Sequence, residues 1–137
     1  MIDLPEFDAR KFIERACEFI KEKVDESNSD GVVIGLSGGI DSCVVACLAV
    51  RALGPLRVRG YILPTITTSD QDLYDAKLIK DELDIESEYI SIGSIYDEFI
   101  SSCEIKNLPQ DNINLARGNL KPRIRMSILY YYATIYN

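Results

Sequence analysis

Between residues 12 and 24, apolar side chains recur at Phe12, Ile13, Ala16, Phe19, Ile20 and Val24 with charges between them. This is the three-to-four-residue rhythm of an amphipathic helix. The helix occupies PEFDARKFIERACEFIKEKVDE and ends at the polar run SNSDG. The rhythm then shifts. GVVIGL is short, β-branched and bounded by glycine, which suits a buried strand, and DSCVVACLAVRAL behind it reads as a largely buried helix closed by Gly54 and Pro55. RVRGYIL supplies a second strand. TTSDQDLYDAKLIKDEL follows as a helix with Leu73, Ala76, Ile79 and Leu83 on one face, and the capping-box spacing of Ser69 and Asp72 predicts its start near Ser69 or Asp70. IESEYISI alternates as a third strand would, and SIYDEFISSC forms a short helix. The polar stretch EIKNLPQDNINLARGN, with its Pro and Asn residues, reads as a long loop. A last helix is expected over NLKPRIRMSILYYYATIYN, where Leu120, Ile124, Ile128, Tyr131 and Ile135 keep near-helical spacing.

Behind the leading helix the order is β-α-β-α-β-α. Such alternation builds a parallel sheet covered by helices through right-handed crossovers, so the expected class is α/β with a doubly wound parallel sheet. At 137 residues, one domain over positions 1–137 is expected. Fifteen Lys and Arg against 22 Asp and Glu leave a net charge of −7 with no His. That balance argues against a nucleic-acid or anionic-membrane surface. No apolar stretch approaches the roughly 20 residues of a membrane span, and the acidic start MIDLPEFDAR lacks the basic region of a signal peptide, so a cytoplasmic location is expected. Cys17, Cys43, Cys47 and Cys103 make no CxxC pair and are expected to be small buried apolar residues.

The candidate chemistry lies where the first strand meets its helix, in GLSGGIDS. A turn at the carboxyl end of a parallel strand aims main-chain N–H groups and a helix N-terminus at one concavity, and glycines let a phosphate approach the backbone. Gly35, Leu36, Ser37, Gly38, Gly39, Ile40, Asp41 and Ser42 form this loop. It is neither a Walker A loop, which requires a lysine beside the hydroxyl, nor the dinucleotide-binding GxGxxG. A carboxylate beside bound phosphates repels them unless a cation lies between, and Mg²⁺ takes one or two carboxylates plus phosphate oxygens; Asp41 is therefore the candidate metal ligand. The plainer reading of the same residues is a tight turn with Asp41 or Ser42 capping the helix.

With its strand and helix context, SGGIDS resembles the PP-loop of the ATP pyrophosphatases, an adenine nucleotide α-hydrolase-like fold whose members split ATP between the α- and β-phosphates. A second stretch, GNLKPRIRMSILYYYA, is similar to a segment of ammonia-dependent NAD synthetase, with GYILPT and SDQDLYDAKLIKDELDI supporting the likeness. It departs at Pro122, where that family usually has Ala. If Asn119 caps the last helix, Pro122 falls in the first turn, where proline is tolerated. Arg117, Lys121, Arg123 and Arg125 would then crowd a helix N-terminus, which the macrodipole disfavours unless an anion offsets them.

The resemblance implies ATP-dependent amidation of deamido-NAD with ammonia, giving NAD, AMP and pyrophosphate. It assigns Gly35 to Ser42 to ATP, Asp41 to Mg²⁺ as the catalytic and metal residue, Arg123 to deamido-NAD, and Leu63 and Pro64 to the adenine region. It also implies a homodimer through the last helix, where Tyr130 to Tyr132 belong to core or interface. The family continues beyond this helix with further strands and a second Mg²⁺ carboxylate. The chain is thus expected to be a C-terminally truncated domain, incomplete for catalysis, with VVIGL an unpaired sheet edge. The alternatives are another PP-loop adenylating ligase of the GMP synthetase kind, or a non-catalytic fragment that binds nucleotide or dimerises.

Overall fold

The computed structural model describes residues 7–103 and 109–137. Helix α1, Ala9–Glu26, begins at Asp8, whose carboxylate accepts the Lys11 N–H. Strand β1, Val32–Gly35, runs into α2, Ile40–Leu53. Gly54, at φ +83°, ends α2, and a 3₁₀ turn over Pro55–Arg57 leads to β2, Val58–Ile62. Helix α3, Asp70–Glu82, starts where the capping box predicts, with the Ser69 hydroxyl accepting the Asp72 N–H at 3.0 Å. Then come β3, Glu86–Tyr89, α4, Gly93–Ser102, and α5, Gln110–Tyr136.

The three strands are all parallel, in the order β1-β2-β3, and β1 pairs only with β2 among the described residues. Side chains alternate across β2 and divide the core between the two faces of the sheet. On one side Val58 and Ile62 pack with Leu36, with Ala46 and Ala49 of α2, and with Ala76 of α3. On the other side Tyr61 and Leu63 meet Ile92 and Ile124 of α5. Helices on both faces make this the doubly wound α/β class that the alternation predicts. The face expected on α3 is the one used, with Leu73, Ile79 and Leu83 around buried Ala76.

Four expectations are corrected. Residues 110–119 are helix, not loop; residues 104–108 of that segment lie outside the described residues. Pro122 therefore sits in the interior of α5, Asn119 is not its cap, and the four cations do not crowd a helix N-terminus. Along α5, Leu120, Ile124 and Ile128 face the sheet, whereas Tyr131 and Ile135 are exposed, Leu129 and Tyr132 packing inward instead. None of the four cysteines is fully buried, and Cys47 and Cys103 are exposed. Cys47 lies beside, not within, the sheet-facing stripe of Ala46, Ala49, Val50 and Leu53. Helix α1 forms as expected, but it buries only Val24 and leaves Phe12 and Phe19 exposed.

Candidate functional site

Leu36 still belongs to the sheet, its N–H donating to the Tyr61 carbonyl at 2.8 Å. Beyond it the chain turns away. Gly38 takes φ +81°, and a Cβ there would lie 2.2 Å from the Asp72 carbonyl oxygen, so the loop crosses the first turn of α3 at a distance that only glycine permits. The Ser37 and Ser42 hydroxyls, 3.0 Å apart, lace the loop together. Ser42 Oγ accepts the Ser37 N–H at 3.2 Å and donates to the Gly39 carbonyl at 2.9 Å, while Ser37 Oγ accepts the Gly39 N–H at 3.2 Å.

Neither Asp41 nor Ser42 caps α2. The cap position is Gly39, with extended backbone and no side-chain cap. Ser42 is engaged with the loop's own backbone, and the N–H groups of the first turn are left without a side-chain acceptor, the arrangement in which an anion fits a helix N-terminus. Asp41 stands exposed in that turn. Among the described residues it has no ion-pair partner, and no group of three or more His, Cys, Asp or Glu side chains could hold a metal.

Beside the loop, at the carboxyl ends of β1 and β2, lies a cavity of about 370 Å³. Gly35, Leu36 and Ser37 line it together with Leu63 and Pro64, both buried, and with Thr65, Thr67, Thr68 and Asp72. The carboxyl end of a parallel sheet is where ligands of this class bind. Helix α5 contributes two cations. Arg125 Nε donates to the Leu63 carbonyl at 2.9 Å, and Lys121 Nζ lies 3.5 Å from Thr67 Oγ1 and 5.5 Å from the Tyr96 ring centroid. Arg123 is exposed and folds back on the Asn119 carbonyl at 3.0 Å, away from the residues lining the cavity. The threonines escape the sequence reading, although TITT directly after Leu63 and Pro64 was their signal.

Tyr61 also lines the cavity, and its ring packs on Tyr132 with centroids 4.5 Å apart. Burial, reinforced by Glu88 and by Tyr136 and Tyr132, pushes the Tyr61 phenol up to about 12. Tyr132 is raised for the same leading reason. On α2, desolvation by the surrounding protein and the neighbouring Cys43 raise the Cys47 thiol even though its surface is exposed, which disfavours the reactive thiolate.

A parallel sheet with a glycine-serine loop at its carboxyl end, a helix N-terminus behind that loop and a cavity beside it define an α/β domain of the PP-loop class. A family model described as NAD synthase matches residues 12–137, and the chain belongs to that family. It is 45% identical over 119 residues to an NH₃-dependent NAD⁺ synthetase of Pyrobaculum aerophilum, covering 87% of this chain and 43% of that protein. The NH₃-dependent NAD synthetase structure from Campylobacter jejuni superposes with a TM-score of 0.85 at 42% identity, over 96% of this chain and 55% of that one. An NMN synthetase structure from Francisella tularensis gives 0.86 at 34% identity, over 96% and 52%. The chain spans about half the length of the curated relatives it matches. No helix among the described residues is long and apolar enough to cross a membrane.

Proposed function

We propose that this chain is the ATP-binding part of an ammonia-dependent NAD synthetase, a ligase that amidates deamido-NAD at the expense of ATP and releases NAD, AMP and pyrophosphate. The carrying observation is the loop from Gly35 to Ser42, which presents an uncapped helix N-terminus beside the cavity. In this reading the N–H groups of the loop and of the first turn of α2 bind ATP phosphates. The base enters the apolar part of the cavity against Leu63, Pro64 and Ala76.

Asp41 fits Mg²⁺, since it is an exposed carboxylate free of ion pairs among the described residues and adjacent to where phosphate oxygens would complete the coordination. When bound, the metal would offset charge on the departing pyrophosphate. Positioning and electrostatics are the protein's share: the loop holds the phosphates, and α5 supplies the cations that the loop lacks.

Arg123, exposed on α5, is assigned to deamido-NAD. Exposed Met126, Tyr130, Tyr131 and Ile135 give the same helix an apolar surface suited to a homodimer interface. The location is cytoplasmic, with no nucleic-acid or membrane partner. Residues 1–137 are assigned to one domain, whose share of the reaction is the binding of ATP.

Calorimetry with ATP and Mg²⁺ tests the reading first, and ATP–pyrophosphate exchange tests the acceptor. Stimulation of exchange by deamido-NAD but not by xanthylate supports the assignment. The NMN synthetase likeness motivates a further arm with the corresponding mononucleotide. Absence of ATP binding overturns the proposal.

A further inference from the structure

Strand β2 sends the carbonyls of alternate residues to opposite neighbours. Those of Ile62 and Pro64 face β3 and its continuation, accepting the N–H groups of Ile90 and Ile92 at 2.9 Å each. Tyr61 faces β1 and accepts from Leu36. Two residues farther along, the same ladder would bring the Gly38 N–H to the Leu63 carbonyl. Gly38 has turned off at φ +81° to cross α3. The departure of the loop therefore leaves a buried carbonyl without its strand partner, a costly state unless another donor fills the place.

Arg125 is that donor. It reaches from α5, 62 residues away in sequence, places Nε 2.9 Å from the Leu63 oxygen and lines the cavity at the same time. We propose that Arg125 is a positioning residue of the nucleotide cavity, its guanidinium replacing the strand partner lost at Leu63 and so setting the separation of the ends of β1 and β2. The inference rests on the ATP reading for its functional consequence but not for its geometry. Arg125 and Arg123 then divide the work of the RIRM segment. Arg125 braces the cavity, whereas Arg123, with its side chain on the exposed surface, is free to meet a substrate.

The test compares the parent chain with Arg125→Ala and Arg125→Lys by amide hydrogen exchange and by ATP calorimetry. In Arg125→Ala, exchange of Leu36 to Gly39 rises about tenfold, with α1 and α3 unchanged, and ATP affinity falls about tenfold, as expected for loss of a charged hydrogen bond. Arg125→Lys, which keeps one charged donor, recovers part of both effects, and methylguanidine added to Arg125→Ala does the same. If Arg125→Ala does not fold, the lysine variant carries the comparison. A uniform rise in exchange over the whole chain, or none at the loop, overturns the positioning role. A parent chain that binds no ATP overturns the nucleotide reading alone, because the exchange measurement still decides whether Arg125 braces the loop.

Discussion

Replacing Gly38 with alanine tests whether the loop is locked against α3. Two independent costs act at this position. A non-glycine residue held at φ +81° is strained by about 1–3 kcal/mol. The added methyl would also lie 2.2 Å from the Asp72 carbonyl oxygen and 2.8 Å from its Cα. No side-chain rotation relieves a backbone contact, so the loop and the first turn of α3 must separate, an overpacking cost of about 1–3 kcal/mol. The expected loss is about 3 kcal/mol, or about 10 °C in Tm for a domain of this size. Gly39→Ala is the internal control. Its φ is −80° and its Cβ would meet nothing nearer than Ser37 Oγ at 3.4 Å, so its stability should stay within about 1 kcal/mol of the parent. Urea denaturation of both variants supplies the measurement, and calorimetry then asks whether Gly38→Ala also weakens ATP binding. Equal midpoints for the parent and Gly38→Ala would refute the close crossing of loop and helix.

Pro122→Ala should stabilise the chain by about 1–3 kcal/mol in urea, because it restores the N–H that an interior helical residue donates to the carbonyl four residues back, here Gly118; an unchanged midpoint would count against that cost. The Tyr61 phenol rises from its ordinary 10.0 to about 12, so the folded chain keeps that proton longer than the unfolded chain. The associated stability is intact below pH 10 and declines as pH rises from 10 towards 12, by up to about 1.4 kcal/mol per pH unit; Tyr61→Phe should flatten the curve there. Asp41→Asn should lower ATP affinity in Mg²⁺ about tenfold while leaving metal-free affinity equal or higher, since a phosphate-repelling carboxylate is gone; equal losses in both conditions would contradict the metal assignment.

The sheet and the glycine-serine loop were readable because their signals are local. β-Branched Val32 to Ile34 pack on a core, and Gly38 must be glycine for the turn it makes. The first turns of α5 carry no such signal. Residues 110–119 are almost all exposed, and with no surface to bury they show no apolar period; Pro109 and the Gln110–Asn114 side-chain pair mark the helix start instead. Because the helix starts at Gln110, Pro122 lies in its interior and the cations from Arg117 to Arg125 lie along it, beyond its first turn. Within the site, the strand order put Leu63 and Pro64 at the carboxyl end of β2, and their link to the adenine region came from the family resemblance. The hydrogen bond from Arg125 to the Leu63 carbonyl could not be read in this way, because it depends on which carbonyl the departing loop leaves open, a fact of register.

The far end of α5 returns to the beginning of the sheet, where the Asp30 N–H donates to the Asn137 carbonyl at 3.0 Å and the Asn137 side chain donates to Asn28, 109 residues away in sequence. The Arg57–Asp30 bond beside β1 and β2 spans only 27. Closing a loop four times longer costs about 1.2 kcal/mol more in chain entropy. Docking of α5 therefore carries the larger closure cost of the two. Lys121, Arg125 and Leu129 line the cavity from this same helix, so one wall of the cavity depends on a closure that spans most of the chain.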